Sequence, residues 1–127
     1  MNNSKKFSVY CHFTPERKIY IGITSLDPEK CWNNGKRYKG TPFGEVVRKF
    51  TWNNIKHIVL YKYLSENEAK FLRNWLICDY IEYVRFVEAV YNPRVSNCGD
   101  LYEKLTDRER TRMCKLLNED LRKIYNC

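Results

Sequence analysis

Apolar and polar positions change period several times along the chain. Residues 7–13, FSVYCHF, and 19–24, IYIGIT, alternate aromatic or β-branched side chains with others across the Pro-containing TPERK, a pattern that predicts a β-hairpin. The stretch 26–42 is rich in Asn, Gly, Lys and Pro and reads as a loop with one helical turn near residues 28–32. Next, TPFGEVVRKF (41–50) suits a short helix with Val46, Val47 and Phe50 inward, and IKHIVLYKY (55–63) supplies a third strand. Ser65, followed three residues later by Glu68, is a capping-box signature, and Ala69, Leu72, Leu76 and Tyr80 continue at helical spacing. A long helix over 66–90 is predicted, ended by Asn92-Pro93, with NPRVSNCGD (92–100) as a loop. A second capping box, Thr106 with Glu109, opens a last helix over 106–125 with Met113, Leu116, Leu117, Leu121 and Ile124 as its apolar stripe. These elements describe an α/β protein. Its small three-stranded antiparallel sheet has the hairpin at its centre or edge, is flanked by the 43–50 and 66–90 helices, and carries a C-terminal helical extension.

The length of 127 residues suits one such domain and leaves no room for a second. With 43% hydrophobic and 30% charged residues the chain is far from a disordered composition. Charge changes the picture more. Residues 1–63 hold twelve Lys and Arg against four Asp and Glu, so they carry the whole formal excess of +8, while residues 64–127 hold eleven of each. Solvating charges would be spread evenly, whereas a one-sided excess is what a polyanion-binding face requires. Six widely spaced cysteines contain no CxxC pair and have only His12 and His57 for company, so no zinc site is legible. The N-terminal residues lack an apolar signal core and no segment reaches the length of a membrane span, which favours a cytoplasmic protein with reduced thiols and no membrane partner.

Val9-Tyr10, followed ten residues later by Tyr20-Ile21-Gly22, resembles the paired tyrosine motifs of the GIY-YIG nuclease superfamily. The runs PEKCWNNGKRYKG and FTWNNIKHIVLYKYLSENEA resemble further segments of its short phage and bacterial members, and VYNPRVSNCG echoes a later one. The likeness covers residues 7–99 as one GIY-YIG-like domain and leaves 100–127 as the helical extension, packed on the same domain. It implies tyrosines that orient or activate a water, an arginine that steadies the phosphate and a helical glutamate that holds one divalent metal. Tyr10, Tyr20 and, in the basic loop, Tyr38 match, and Asn92 matches a position often kept as Asn.

Two positions depart from that pattern. Cys31 stands where the resemblance implies the arginine, and a thiol offers no fork of donors and no fixed charge. Arg73 stands where it implies the glutamate, and a cation repels a metal. Ser8 also replaces the glycine of the first motif. The leading expectation is therefore a catalytically defective relative that binds nucleic acid, DNA or RNA, without cutting it. Its basic face would comprise Lys36, Arg37, Lys39, Arg48, Lys49 and Arg73, with no metal or other cofactor. Arg73 fits either a direct phosphate contact in the old metal site or a solvated helix position. A second expectation is a phage inhibitor or adaptor that docks on a protein such as a nucleic-acid-guided defence complex, with the 106–125 helix as core or oligomer surface. A third is a working endonuclease that retains Mg²⁺ or Mn²⁺, with the loop cations substituting for the arginine. Trp32, Trp52 and Trp75 read as core or loop anchors, His57 as a packed histidine, and Cys31, without a neighbouring His, as no nucleophile.

Overall fold

The computed structural model describes residues 6–82, 89–90 and 98–125. Strands β1 (Phe7–Phe13) and β2 (Lys18–Thr24) form the hairpin. Its turn is closed by Thr14 N–H donating to the Lys18 carbonyl at 3.0 Å and Arg17 N–H to the Thr14 carbonyl at 2.9 Å, with Arg17 left-handed at φ 65°. Then come α1 (Pro28–Trp32), a kinked 3₁₀ segment (Asn33–Tyr38), α2 (Pro42–Phe50), a 3₁₀ turn (Trp52–Asn54) and β3 (Lys56–Leu64). The C-terminal half contributes α3 (Glu66–Glu82), β4 (Ala89–Val90), α4 (Cys98–Glu103), α5 (Asp107–Leu117) and α6 (Leu121–Tyr125). The sheet order is β3-β1-β2-β4, so the hairpin's first strand is central. β1 is antiparallel to both neighbours, and β4 adds a short parallel pairing to Lys18 and Ile19.

Strand alternation divides the interior in two. Val9, Cys11, Ile19 and Ile21 point to one face, where α3 and the C-terminal helices cover them with Ala69, Phe71, Leu72, Ile77, Leu101, Tyr102, Leu105, Met113 and Leu121. Sandwiched between sheet and helices, α3 buries Glu68 and Asn74 as well as its apolar residues. The opposite face carries Tyr10, covered by Cys31, Trp32, Tyr38, Phe43 and Ile55 from α1, the 3₁₀ segment, α2 and the approach to β3.

Both capping boxes form, and they interlock. Ser65 N–H donates to Glu68 at 2.9 Å and Glu68 N–H to the Ser65 hydroxyl at 3.1 Å; Thr106 and Glu109 repeat this at 2.9 and 3.1 Å. The Ser65 hydroxyl also donates to the Glu109 carboxylate, and Arg112 reaches the buried Glu68 at 3.4 Å and the Tyr63 carbonyl at 3.1 Å. The start of α5 is thereby tied to the start of α3.

Several expected boundaries move. The helix expected over 66–90 is described as far as Glu82, and Ala89–Val90 is strand. Backbone pairing with the outer edge of β2 outweighs a helical periodicity whose last part is rich in Val, Tyr and Phe. The segment expected as a loop over 92–100 already turns into α4 at Cys98. The single last helix is broken at Asn118, left-handed at φ 55°, which caps α5 before Asp120 restarts the chain as α6. Consequently Met113 and Leu121 join the core, whereas Leu116 and Ile124 are 43% and 50% exposed. On α2 the fully inward residue is Phe43, with Val46, Val47 and Phe50 half-buried around it. Asn92-Pro93 lies outside the described residues.

Candidate phosphate-binding site

The hairpin register sets Tyr10 opposite Gly22 and His12 opposite Tyr20, and β3 brings His57 directly opposite His12. All five therefore share the face under α1 and α2. Gly22 is required here: a Cβ at this position would sit 2.5 Å from the Tyr10 hydroxyl oxygen, so the phenol can lie across the strand only because the side chain is missing. Gly44 has the same role in the cover, since its Cβ would meet the Tyr38 carbonyl at 2.1 Å where α2 folds back onto the 3₁₀ segment. His12 is fully buried in an aromatic cage, with ring centroids at 4.9 Å to Trp32, 5.1 Å to Trp52, 5.4 Å to both Tyr38 and Phe43, and 4.9 Å to His57.

Through this cage runs one chain of hydrogen bonds. The Tyr10 and Tyr38 hydroxyls are 3.2 Å apart, Tyr38 lies 2.8 Å from His12 Nε2, His12 Nδ1 lies 2.8 Å from His57 Nδ1, and His57 Nε2 lies 2.9 Å from the Trp52 carbonyl. Its direction follows from its last member. A carbonyl only accepts, so His57 Nε2 carries a proton and, in neutral imidazole, its Nδ1 accepts. His12 must then donate from Nδ1 and accept at Nε2. Tyr38 has one proton, which goes to His12 at the shorter distance, and Tyr10 donates to Tyr38. Every donor points from Tyr10 towards Trp52. Burial holds both imidazoles neutral: it lowers the His57 pKa and drives that of His12 down to about 3, with His57 adding to the effect. Burial likewise pushes Tyr10 up to about 12 and raises Tyr38. The two phenols are fixed neutral groups, each below 4% exposed.

What faces outward is Tyr20, half-buried, with two guanidiniums near it. Burial raises the Tyr20 pKa while Arg37 and Arg73 lower it, which places both cations within electrostatic reach of the phenol. Arg37, exposed at the end of the 3₁₀ segment, also interacts with Tyr10, Cys31 and Tyr38. Arg73 is half-buried on α3; burial lowers its pKa, Tyr20 and Tyr10 oppose that, and its Nε donates to Asn74 Oδ1 at 3.3 Å. It is not a solvated helix position.

Cys31, buried beneath this group, lies within the same electrostatic reach of Tyr10 and Tyr20. Arg37 thus stands close to the position where Cys31 offers no charge. Among the described residues the groups gathered here are hydroxyls, one thiol and two guanidiniums, whereas Mg²⁺ or Mn²⁺ takes carboxylate and carbonyl oxygens. The residues do not fit such an ion, and no group of His, Cys, Asp and Glu able to hold a metal occurs among the described residues.

Compared with family models, curated proteins and solved structures, the chain matches none. The site is therefore described by its own residues. Tyr10, Tyr20, Tyr38, Cys31, Arg37 and Arg73 come together. Lys36 and Lys39 are exposed on either side of Arg37 and Tyr38. Arg48 and Lys49, on the exposed side of α2, pair instead with Glu45 and, at 3.3 Å, Glu16. Asn92 lies outside the described residues. Trp32 is a core anchor, as expected, and Trp52 and Trp75 are half-buried. The role of the two histidines as a connected pair is absent from the sequence reading. Its one available signal was alternation, which puts His12 on the Tyr10 face and His57 on a neighbouring strand. No helix among the described residues is long and apolar enough to cross a membrane.

Proposed function

We propose that the chain is a GIY-YIG-like domain that holds the phosphate backbone of a nucleic acid without metal-dependent hydrolysis. One observation carries this reading: Arg37 and Arg73 approach the same tyrosine, Tyr20, from two different elements. Two guanidiniums within electrostatic reach of one phenol suit a phosphodiester, because planar forks of donors match phosphate oxygens and the hydroxyl adds a third donor. The same pair opposes a divalent cation, so the arrangement favours retention of the backbone over cleavage by a bound metal. The basic first half of the chain supplies the long-range attraction, and Lys36 and Lys39 extend the contact beside Arg37.

Fluorescence anisotropy of labelled oligonucleotides across a salt series tests this. Loss of one phosphate contact lowers the slope of log K against log salt by about 0.7 for a single strand or 0.9 for a duplex. Arg37→Ala and Arg73→Ala are each expected to remove about one such contact, whereas Arg122→Ala on α6 leaves the slope unchanged. Binding insensitive to salt, or equal slopes for all four proteins, overturns the reading and points to a protein partner.

A further inference from the structure

A concavity lies on the same face of the sheet, at its β3 edge. It encloses about 560 Å³ and is lined by Asp27, Pro28, Glu29, Trp32, Asn34, Trp52, His57, Val59 and Lys62. That volume is within the usual range for a small-molecule site and holds a nucleotide. Its aromatic wall is a stack of Trp52 on His57, with ring centroids 3.7 Å apart and planes inclined by 22°. Both His57 nitrogens are committed inward, to His12 and to the Trp52 carbonyl, so this histidine offers the groove a flat surface and no titrating group. Trp32, in the same wall, is 5% exposed, and its indole N–H is a buried donor without a hydrogen-bond partner. At the rim stand the acceptors Asp27 and Glu29 and the cation Lys62.

We propose that this groove binds an unpaired guanine base, a reading that rests on the nucleic-acid function proposed above. A cationic side chain from a protein would use the carboxylates and the rings, but Lys62 would oppose it. A purine uses the rings, a carboxylate and the ammonium together. Its π-face stacks on the tryptophan, as single-stranded bases do on aromatic side chains. Among the bases, guanine alone presents two adjacent N–H donors, at N1 and N2, that a single carboxylate accepts in parallel. Its O6 and N7 face donors such as Lys62, and the attached phosphate gains from the same ammonium. Asp27 already accepts from Lys30 N–H at 3.4 Å as the cap of α1, which leaves Glu29 as the main acceptor for the base.

Tryptophan fluorescence of the whole protein, titrated with each of the four nucleoside monophosphates, reads this directly. Saturable quenching by GMP, at least tenfold tighter than by CMP or UMP and weakened at least fivefold by Glu29→Gln, is expected. Equal quenching by all four, or a GMP affinity unchanged by both Glu29→Gln and the cap-preserving Asp27→Asn, overturns the proposal. Salt-sensitive binding of oligo(dT) by the unsubstituted protein separates the two readings. Oligo(dT) binding without GMP selectivity removes only the guanine pocket, and selective GMP quenching without oligo(dT) binding removes only the phosphate site.

Discussion

Acidification should unfold this protein early, and His12 sets the size of the effect. The imidazole is fully buried, its Nε2 accepts from Tyr38, and its pKa in the folded protein is about 3 against 6.5 for a free histidine. Below pH 6.5 the unfolded chain takes up a proton that the folded chain refuses, so stability falls as pH falls, by about 1.4 kcal/mol per unit, until the folded pKa is reached. Between pH 7 and 4.5 this one group removes about 2.5 kcal/mol, a large share of a typical domain's stability. His57, also lowered, adds in the same direction. Urea unfolding followed by tryptophan fluorescence at several pH values gives the slope, and His12→Gln isolates it, because an amide keeps one donor for His57 and one acceptor for Tyr38. The variant, although less stable at pH 7, should lose about 2.5 kcal/mol less than the parent over that interval. Parallel stability curves for the two proteins would show that His12 protonates freely when folded, and the sealed chain of neutral groups would be wrong.

The direction of that chain makes its two phenols unequal. Tyr38→Phe leaves both the Tyr10 hydroxyl and His12 Nε2 buried without partners and should cost about 2–4 kcal/mol, whereas Tyr10→Phe removes only the terminal donor and should cost about 1 kcal/mol in the same unfolding assay. Equal losses would contradict the assigned direction. Gly22→Ala forces a methyl group against the Tyr10 ring and is expected to destabilise by about 1–3 kcal/mol, with a changed near-ultraviolet circular dichroism signal from the displaced aromatic cluster. Arg112→Ala leaves the buried Glu68 carboxylate without its cation, and it should lower stability by about 1–3 kcal/mol while Glu68→Gln with Arg112→Ala recovers part of that loss.

Local chemistry was the legible part of the chain. The hairpin, the short helix after the loop, the third strand and both capping boxes depend on side chains within a few residues of one another, as Ser65 with Glu68 and Thr106 with Glu109 show. Boundaries set by tertiary pairing were not. Ala89 and Val90 become strand because β2 offers them an edge, and Asn118 stops a helix whose apolar stripe continues in register beyond it. In the site, the grouping of Tyr10, Tyr20 and Tyr38 came from motif spacing, and the proximity of Arg37 to Cys31 follows from their places at the two ends of one short loop segment. The His12–His57 link could not. The two residues are 45 positions apart and meet only through the register of β1 with β3, after two shifts in that pairing. The groove is equally non-local, since Asp27, Trp52 and Lys62 reach it from separate elements.

The central claim, a site that holds nucleic acid where a metal-dependent cut would otherwise occur, is tested most directly by one experiment. Purified protein is incubated with plasmid and single-stranded DNA or RNA in Mg²⁺, Mn²⁺ or EDTA across a salt series, and cleavage and gel mobility are read from the same samples. The account predicts a mobility shift that weakens steeply with salt and intact strands with either metal. Metal-dependent cuts that disappear in Tyr20→Phe would contradict it.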